Sequence, residues 1–152
     1  MKKELLPLGL YLHIPFCRQK CLYCDFYSLP GAEAREDEYV RALTAHLSEV
    51  APRAAAHTVD TVYFGGGTPS CLGAKRLKTL LAAVNKHYHL AHDAEITFEA
   101  NPDSAGDWKA LRTLRRAGFN RISIGMQSAV DEELRAIGRI HTFDQVCAAV
   151  EA

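Results

Sequence analysis

The chain has 152 residues, 48% hydrophobic and 24% charged, enough for one domain with a real core and incompatible with a disordered or fibrous protein. Its 18 basic residues balance 18 acidic ones without a basic run, so the charge pattern argues against a nucleic-acid partner. Five cysteines, three of them close together, suit metal or redox chemistry in a reducing compartment better than a paired disulfide framework.

The opening "MKKELLPLGLYLHIPFC" places two lysines before an apolar stretch, as a signal or lipid-attachment segment would. Glu4, Pro7 and His13 interrupt that stretch, and bulky Phe16 stands where processing requires a small residue. No other segment approaches a membrane span, and the expected location is the cytoplasm.

From there the periodicity alternates between strand and helix. Residues 9–14 read as a strand; residues 34–50 carry Tyr39, Leu43, Leu47 and Val50 at helical spacing. A second strand is expected over 61–66, and an amphipathic helix over 74–88 on Leu77, Leu80, Leu81, Val84 and Tyr88. A third strand, 94–100, precedes a helix with Ser104 and Asp107 as an N-cap box and Gly118 as its stop. Residues 120–127 form the fourth strand, and "FDQVCAAVEA" begins the helix after it. There is no internal repeat, low-complexity tract or interdomain linker.

Four strand–helix units in succession imply a parallel α/β sheet with right-handed crossovers, either doubly wound or barrel-like. The strand faces favour the barrel. Leu10, Leu12, Ile14, Val62, Phe64, Ile96, Phe98, Ile122, Ile124 and Met126 make one aliphatic face. The intervening Tyr11, His13, Tyr63, Gly65, Thr97, Glu99, Ser123, Gly125 and Gln127 are small or polar, as for a face lining a ligand-filled lumen.

Ligands of such folds sit at the carboxyl ends of the strands, and all four ends are unusual here. The first runs into "HIPFCRQKCLYCDFYS", with Cys17, Cys21 and Cys24; the others end in "GGGTPS", "FEANPD" and "GMQS". A structural zinc site needs four closed ligands, with His13 or His46 as imaginable fourths to the three thiolates. Three reduced core cysteines fit poorly, since Pro15, Arg18, Gln19 and Lys20 mark an exposed loop. A four-iron cluster held by three thiolates leaves one iron open to a small molecule. The glycines at 65–67 allow close backbone approach, although the turn matches neither the dinucleotide fingerprint nor the nucleotide phosphate loop. Glu99 or Gln127 alone would read as an ordinary strand-end polar group; their coincidence on one rim is what carries weight.

Together "CRQKCLYC", "GGGTPS", "FEANPD", "ISIGMQS" and "IGRIHT" resemble the radical S-adenosylmethionine enzymes, and within them the group of oxygen-independent coproporphyrinogen oxidases and HemW-type heme chaperones. The resemblance covers essentially the whole chain and implies a partial (βα) barrel with its first four βα units. It implies that Cys17, Cys21 and Cys24 hold a [4Fe-4S] cluster whose remaining iron is chelated by S-adenosylmethionine, which one electron from the cluster cleaves to a 5′-deoxyadenosyl radical. By position in matching motifs, Tyr11, Gly66, Gly67, Thr68, Glu99, Gln127 and Arg139 are the candidate S-adenosylmethionine contacts, with Tyr23 against the adenine. Glycine backbone and a carboxylate suit the ammonium end of that ligand, and an arginine its carboxylate end.

The resemblance also implies heme or a porphyrin as ligand, a heme acceptor protein, and an electron donor such as a flavodoxin or ferredoxin. One departure separates the two branches. The oxidases continue the loop as C-x3-C-x2-C-x-C, whereas this chain has Phe26 at the last position, which favours the heme chaperone branch and makes decarboxylase activity doubtful. Cys71 and Cys147 match no motif and are expected to be buried small residues. The family barrel has six units and a further domain, so the chain reads as the N-terminal part of a radical SAM core domain. An exposed edge and incomplete cover are expected at the fourth strand, with the isolated piece inactive and self-associating.

Overall fold

The structure, a computed structural model, describes residues 5–152, so the sequence reading of Lys2, Lys3 and Glu4 lies outside the described residues. Four long strands form a parallel sheet: β1 (Leu6–Ile14), β4 (His57–Gly66), β5 (Leu90–Ala100) and β6 (Arg121–Ile124), hydrogen-bonded in the order β1-β4-β5-β6. Between β1 and β4 lie two two-residue strands paired with each other, β2 (Phe16–Cys17) and β3 (Leu29–Pro30), and helix α1 (Glu36–Val50). Helix α2 (Gly73–His87) links β4 to β5, and α3 (Pro102–Ala105) with α4 (Trp108–Ala117) links β5 to β6. The chain then forms α5 (Asp131–Ala136) and α6 (Phe143–Glu151).

The strand order decides between the two architectures left open by the sequence. Each long strand pairs with the next one along the chain, so every crossover moves in the same direction. Because such crossovers are right-handed, the helices collect on one face, and α1 packs on α2 and α2 on α4. A doubly wound sheet would reverse direction and cover both faces. The observed partial barrel leaves the second face free to line a cavity.

The aliphatic face is buried as its alternation requires. Leu12, Ile14, Val62, Phe64, Ile96 and Phe98 pack with Leu77, Leu80, Leu81 and Val84 of α2 and with Val40 and Leu47 of α1. Phe119 stands 5.1 Å from Phe64 and 5.3 Å, edge to face, from Phe98, joining β4 and β5 through one aromatic cluster. Burying each such ring stabilises the fold by about 1.5–3 kcal/mol. Tyr88 closes the far end by donating its hydroxyl to the Leu47 carbonyl at 3.0 Å.

Several boundaries differ from the sequence reading. The first three strands begin earlier, because backbone pairing such as Leu6↔His57 continues below the apolar alternation. β6 ends at Ile124, so Met126 leaves the aliphatic face and is exposed. Asp107 caps α4 by accepting from the Lys109 and Ala110 amides, and α4 stops at Gly118. Ser104 takes no part in that cap; it lies in α3 and donates to the Asn101 carbonyl at 3.0 Å. Helix α5 has one buried residue, Leu134, too little for a periodic signal. Cys147 is exposed, contrary to expectation, because Val146 and Ala149 take the buried stripe of α6 and leave the intervening position turned outward. Cys71 is half-buried, and burial pushes its thiol up to about 11. Among the described residues no helix is long and apolar enough to cross a membrane.

Candidate functional site

The carboxyl ends of the strands surround a cavity of about 250 Å³. Cys17, Cys21 and Cys24 line it, together with Tyr23, Gly66, Gly67, Thr68, Glu99, Gln127 and Arg139. Tyr11 differs from these candidates. It is 59% exposed, stacks on Tyr63 at 6.2 Å and shares a 3.1 Å hydrogen bond with His13 Nδ1, beside the cavity rather than in its wall.

The cysteine loop is tied at its base and along its length. Pairing of Phe16 with Leu29 and Cys17 with Pro30 closes the base. Tyr39 of α1 donates to the His13 carbonyl and sets its ring edge against Phe16 at 5.3 Å, which fixes where β1 releases the chain. Farther along, the Leu22 amide donates to the Ile137 carbonyl at 3.1 Å, and Gln19 donates to that of Gly138 at 3.3 Å. Arg18 reaches Asp103 at 3.0 Å, with the Asp103 side chain only 10% exposed. The "IGRIHT" and "FEANPD" segments therefore hold the loop from two sides.

The glycine turn has a steric reason. A Cβ on Gly67 would stand 2.7 Å from the Phe16 carbonyl oxygen and 3.0 Å from Cys17 Sγ. Gly66 has φ 113°, a region that L side chains rarely adopt, and a Cβ there would lie 2.6 Å from the His13 ring. The Gly67 and Thr68 amides donate to the Ile14 and Phe16 carbonyls at 2.8 and 2.7 Å, pressing this turn against the start of the cysteine loop.

Glu99 faces the turn. Its Oε1 accepts from the Tyr63 hydroxyl at 2.7 Å and its Oε2 from the Gly66 amide at 3.2 Å. Burial, followed by the bond to Glu99, pushes the Tyr63 phenol up to about 12, so it remains a donor. Two bonds leave the carboxylate lone pairs for a further cation. Past the end of β6, Gln127 holds φ 64°, an uncommon backbone for a residue other than glycine, with its side-chain amide near Gly125.

Arg139 is more committed than the sequence suggests. It donates to Cys21 Sγ at 3.4 Å, to Asn101 Oδ1 at 2.7 Å and to the Gly125 carbonyl at 2.9 Å, while its Nε is buried without a partner. Burial, opposed by the Arg139 charge, raises the Tyr23 phenol. On the other side Thr68 Oγ1 donates to Cys17 Sγ at 3.5 Å, and burial raises the Cys17 thiol. Asn101, at the end of β5, joins these donors, and sequence reasoning passed over it; its place before Pro102 in "FEANPD" was the available signal.

The donor set fits a cluster held by three thiolates. Three thiols border one cavity whose glycine wall admits no Cβ, beside a guanidinium with a spare buried donor. Both His13 ring nitrogens are engaged, by Tyr11 and by the Tyr27 carbonyl, and neither His13 nor His46 of α1 lines the cavity that holds the three cysteines.

Comparison with known proteins agrees with this geometry. The chain is 46% identical over 147 residues to a protein of Mycobacterium tuberculosis (strain CDC 1551 / Oshkosh) named heme chaperone HemW, covering 94% of this chain and 37% of that one. It is 49% identical over 142 residues to the heme chaperone HemW of Escherichia coli (strain K12), covering 91% of this chain and 36% of the relative. The chain thus spans little more than a third of the curated relatives it matches. A solved structure of coproporphyrinogen III oxidase (HemN) from Escherichia coli, described as a radical SAM enzyme, superposes with a TM-score of 0.89 at 30% identity, covering 99% of this chain and 35% of that one. The sequence profile of the Radical SAM superfamily matches residues 11–152, from the middle of β1 through the cysteine loop to α6, and the chain belongs to that superfamily.

Proposed function

We propose that the chain is the N-terminal part of the core domain of a heme chaperone of the HemW type, which binds a [4Fe-4S] cluster and S-adenosylmethionine in the cavity at the strand ends. Radical SAM proteins in general use that cluster and that cofactor. The observation that carries the reading is the three-thiol loop around the cavity, with Phe26 where the oxidase branch has a further cysteine. The printed names of the relatives support the same branch.

Cys17, Cys21 and Cys24 would hold the cluster, which supplies one-electron chemistry to S-adenosylmethionine when bound. Gly66 and Gly67 keep the wall low enough for a ligand to approach. Glu99, fixed by Tyr63 and the Gly66 amide, receives an ammonium group, and the Arg139 guanidinium in the cavity wall supplies positive charge toward a carboxylate. Thr68, Gln127 and Tyr23 border the same volume, and Tyr11 steadies Tyr63 from beside it. Heme, a heme acceptor protein and an electron donor of the flavodoxin or ferredoxin kind are the partners, in the cytoplasm.

The TM-score of 0.89 to a coproporphyrinogen oxidase keeps radical decarboxylation of a porphyrinogen as the second reading. Heme titration and a coproporphyrinogen turnover assay, run on the reconstituted protein extended to the length of its relatives, separate the two. Stoichiometric heme binding without turnover is the expected result; turnover at an oxidase rate would reverse the assignment.

A further inference from the structure

We propose that Asn101 is the positioning residue that aims hydrogen-bond donors at two of the cluster thiolates, Cys17 and Cys21, and so sets the potential at which the cluster is reduced. The proposal rests on the reading that these cysteines hold a cluster. Asn101 itself bonds to neither sulfur. Its Oδ1 accepts from Arg139 at 2.7 Å, and its Nδ2 donates to Thr68 Oγ1 at 3.2 Å.

The direction of this chain is forced. A guanidinium can only donate, so the carbonyl side of the amide must face Arg139 and the NH2 side must face Thr68. Thr68 Oγ1 is thereby an acceptor toward Asn101, and its single proton is left for Cys17 Sγ, 3.5 Å away. At the other end the same guanidinium, held by Asn101 and by the Gly125 carbonyl, places a charged donor 3.4 Å from Cys21 Sγ. One amide thus orders a neutral donor on one sulfur and a cationic donor on another. Hydrogen bonds and positive charge at the sulfurs favour the more negative, reduced state of a cluster and raise its potential.

The test is an anaerobic redox titration of the reconstituted protein, followed by electron paramagnetic resonance, beside iron and sulfide analysis. Asn101→Ala is expected to keep its iron and sulfide while the equilibrium constant for reduction falls on the order of tenfold, about 59 mV for a one-electron couple. Asn101→Asp preserves shape and the Arg139 contact, but both its oxygens accept, so the Thr68 proton turns away from Cys17 and the potential falls again. In a Thr68→Val background, Asn101→Ala should shift the potential less than in the parent protein, because one of its two routes is already gone. A purely structural asparagine would not produce that non-additivity. A parent protein that takes up no iron would defeat the cluster reading itself. Variants loaded with cluster at the parent potential would overturn the role of Asn101 and leave the cluster reading standing.

Discussion

The two faces of the sheet, built from alternate residues of the same strands, obey different physics. Val62, Phe64, Ile96 and Phe98 are buried against helices, where close packing and area removed from water decide the energy. Glu99, interleaved with them, lines the strand-end site with Tyr63 and Gly65 packed against it, where polar groups must be paired and space must be left unfilled. A substitution on the first face should change stability, and one on the second should change what the protein holds.

The strongest way to break that division lies in the cysteines. Replacing Cys17, Cys21 or Cys24 by Ala is expected to abolish the cluster, because two thiolates do not keep a four-iron cube. Cys71→Ala and Cys147→Ala should retain it. Iron and sulfide analysis of the five variants is the check, and equal loading across them would erase the distinction.

On the packing face, Phe64→Ala removes the ring that joins Phe119 to the sheet and should cost about 3–5 kcal/mol of stability. Denaturant unfolding measures this, and a loss below about 1 kcal/mol would show that the face is not close-packed. On the opposite face, Glu99→Ala and Gln127→Ala should each weaken S-adenosylmethionine binding by about 1–3 kcal/mol while the cluster stays intact. Calorimetric titration reads the change, and unchanged affinity in both would reduce these residues to ordinary strand-end polar groups.

The sequence and the structure agree where the physics is local or periodic. Strand alternation identified both faces of β4 and β5, helical spacing located α1 and α2, and Asp107 and Gly118 marked the ends of α4. The cysteine loop, glycine turn, Glu99 and Gln127 were legible as strand-end motifs and Arg139 only through the family resemblance, and the fold brings them to one cavity. What the sequence concealed depends on contacts between distant segments. Asn101 gains its importance from Thr68, 33 residues before it, and from Arg139, 38 after it. Arg139 read as a free cation for a ligand carboxylate, whereas three contacts across the fold occupy it. The exposure of Met126 followed from an early strand end, which leaves no periodic trace, and that of Cys147 from the stripe that Val146 and Ala149 bury on α6.

The central claim is that the polar face encloses one site for a cluster and for S-adenosylmethionine in contact with it. The most direct measurement is the electron paramagnetic resonance spectrum of the reconstituted, reduced protein, recorded with and without S-adenosylmethionine. The account predicts a cluster signal that changes on adding S-adenosylmethionine to the parent protein and changes less in Glu99→Ala. A cluster signal indifferent to S-adenosylmethionine in the parent protein would contradict it.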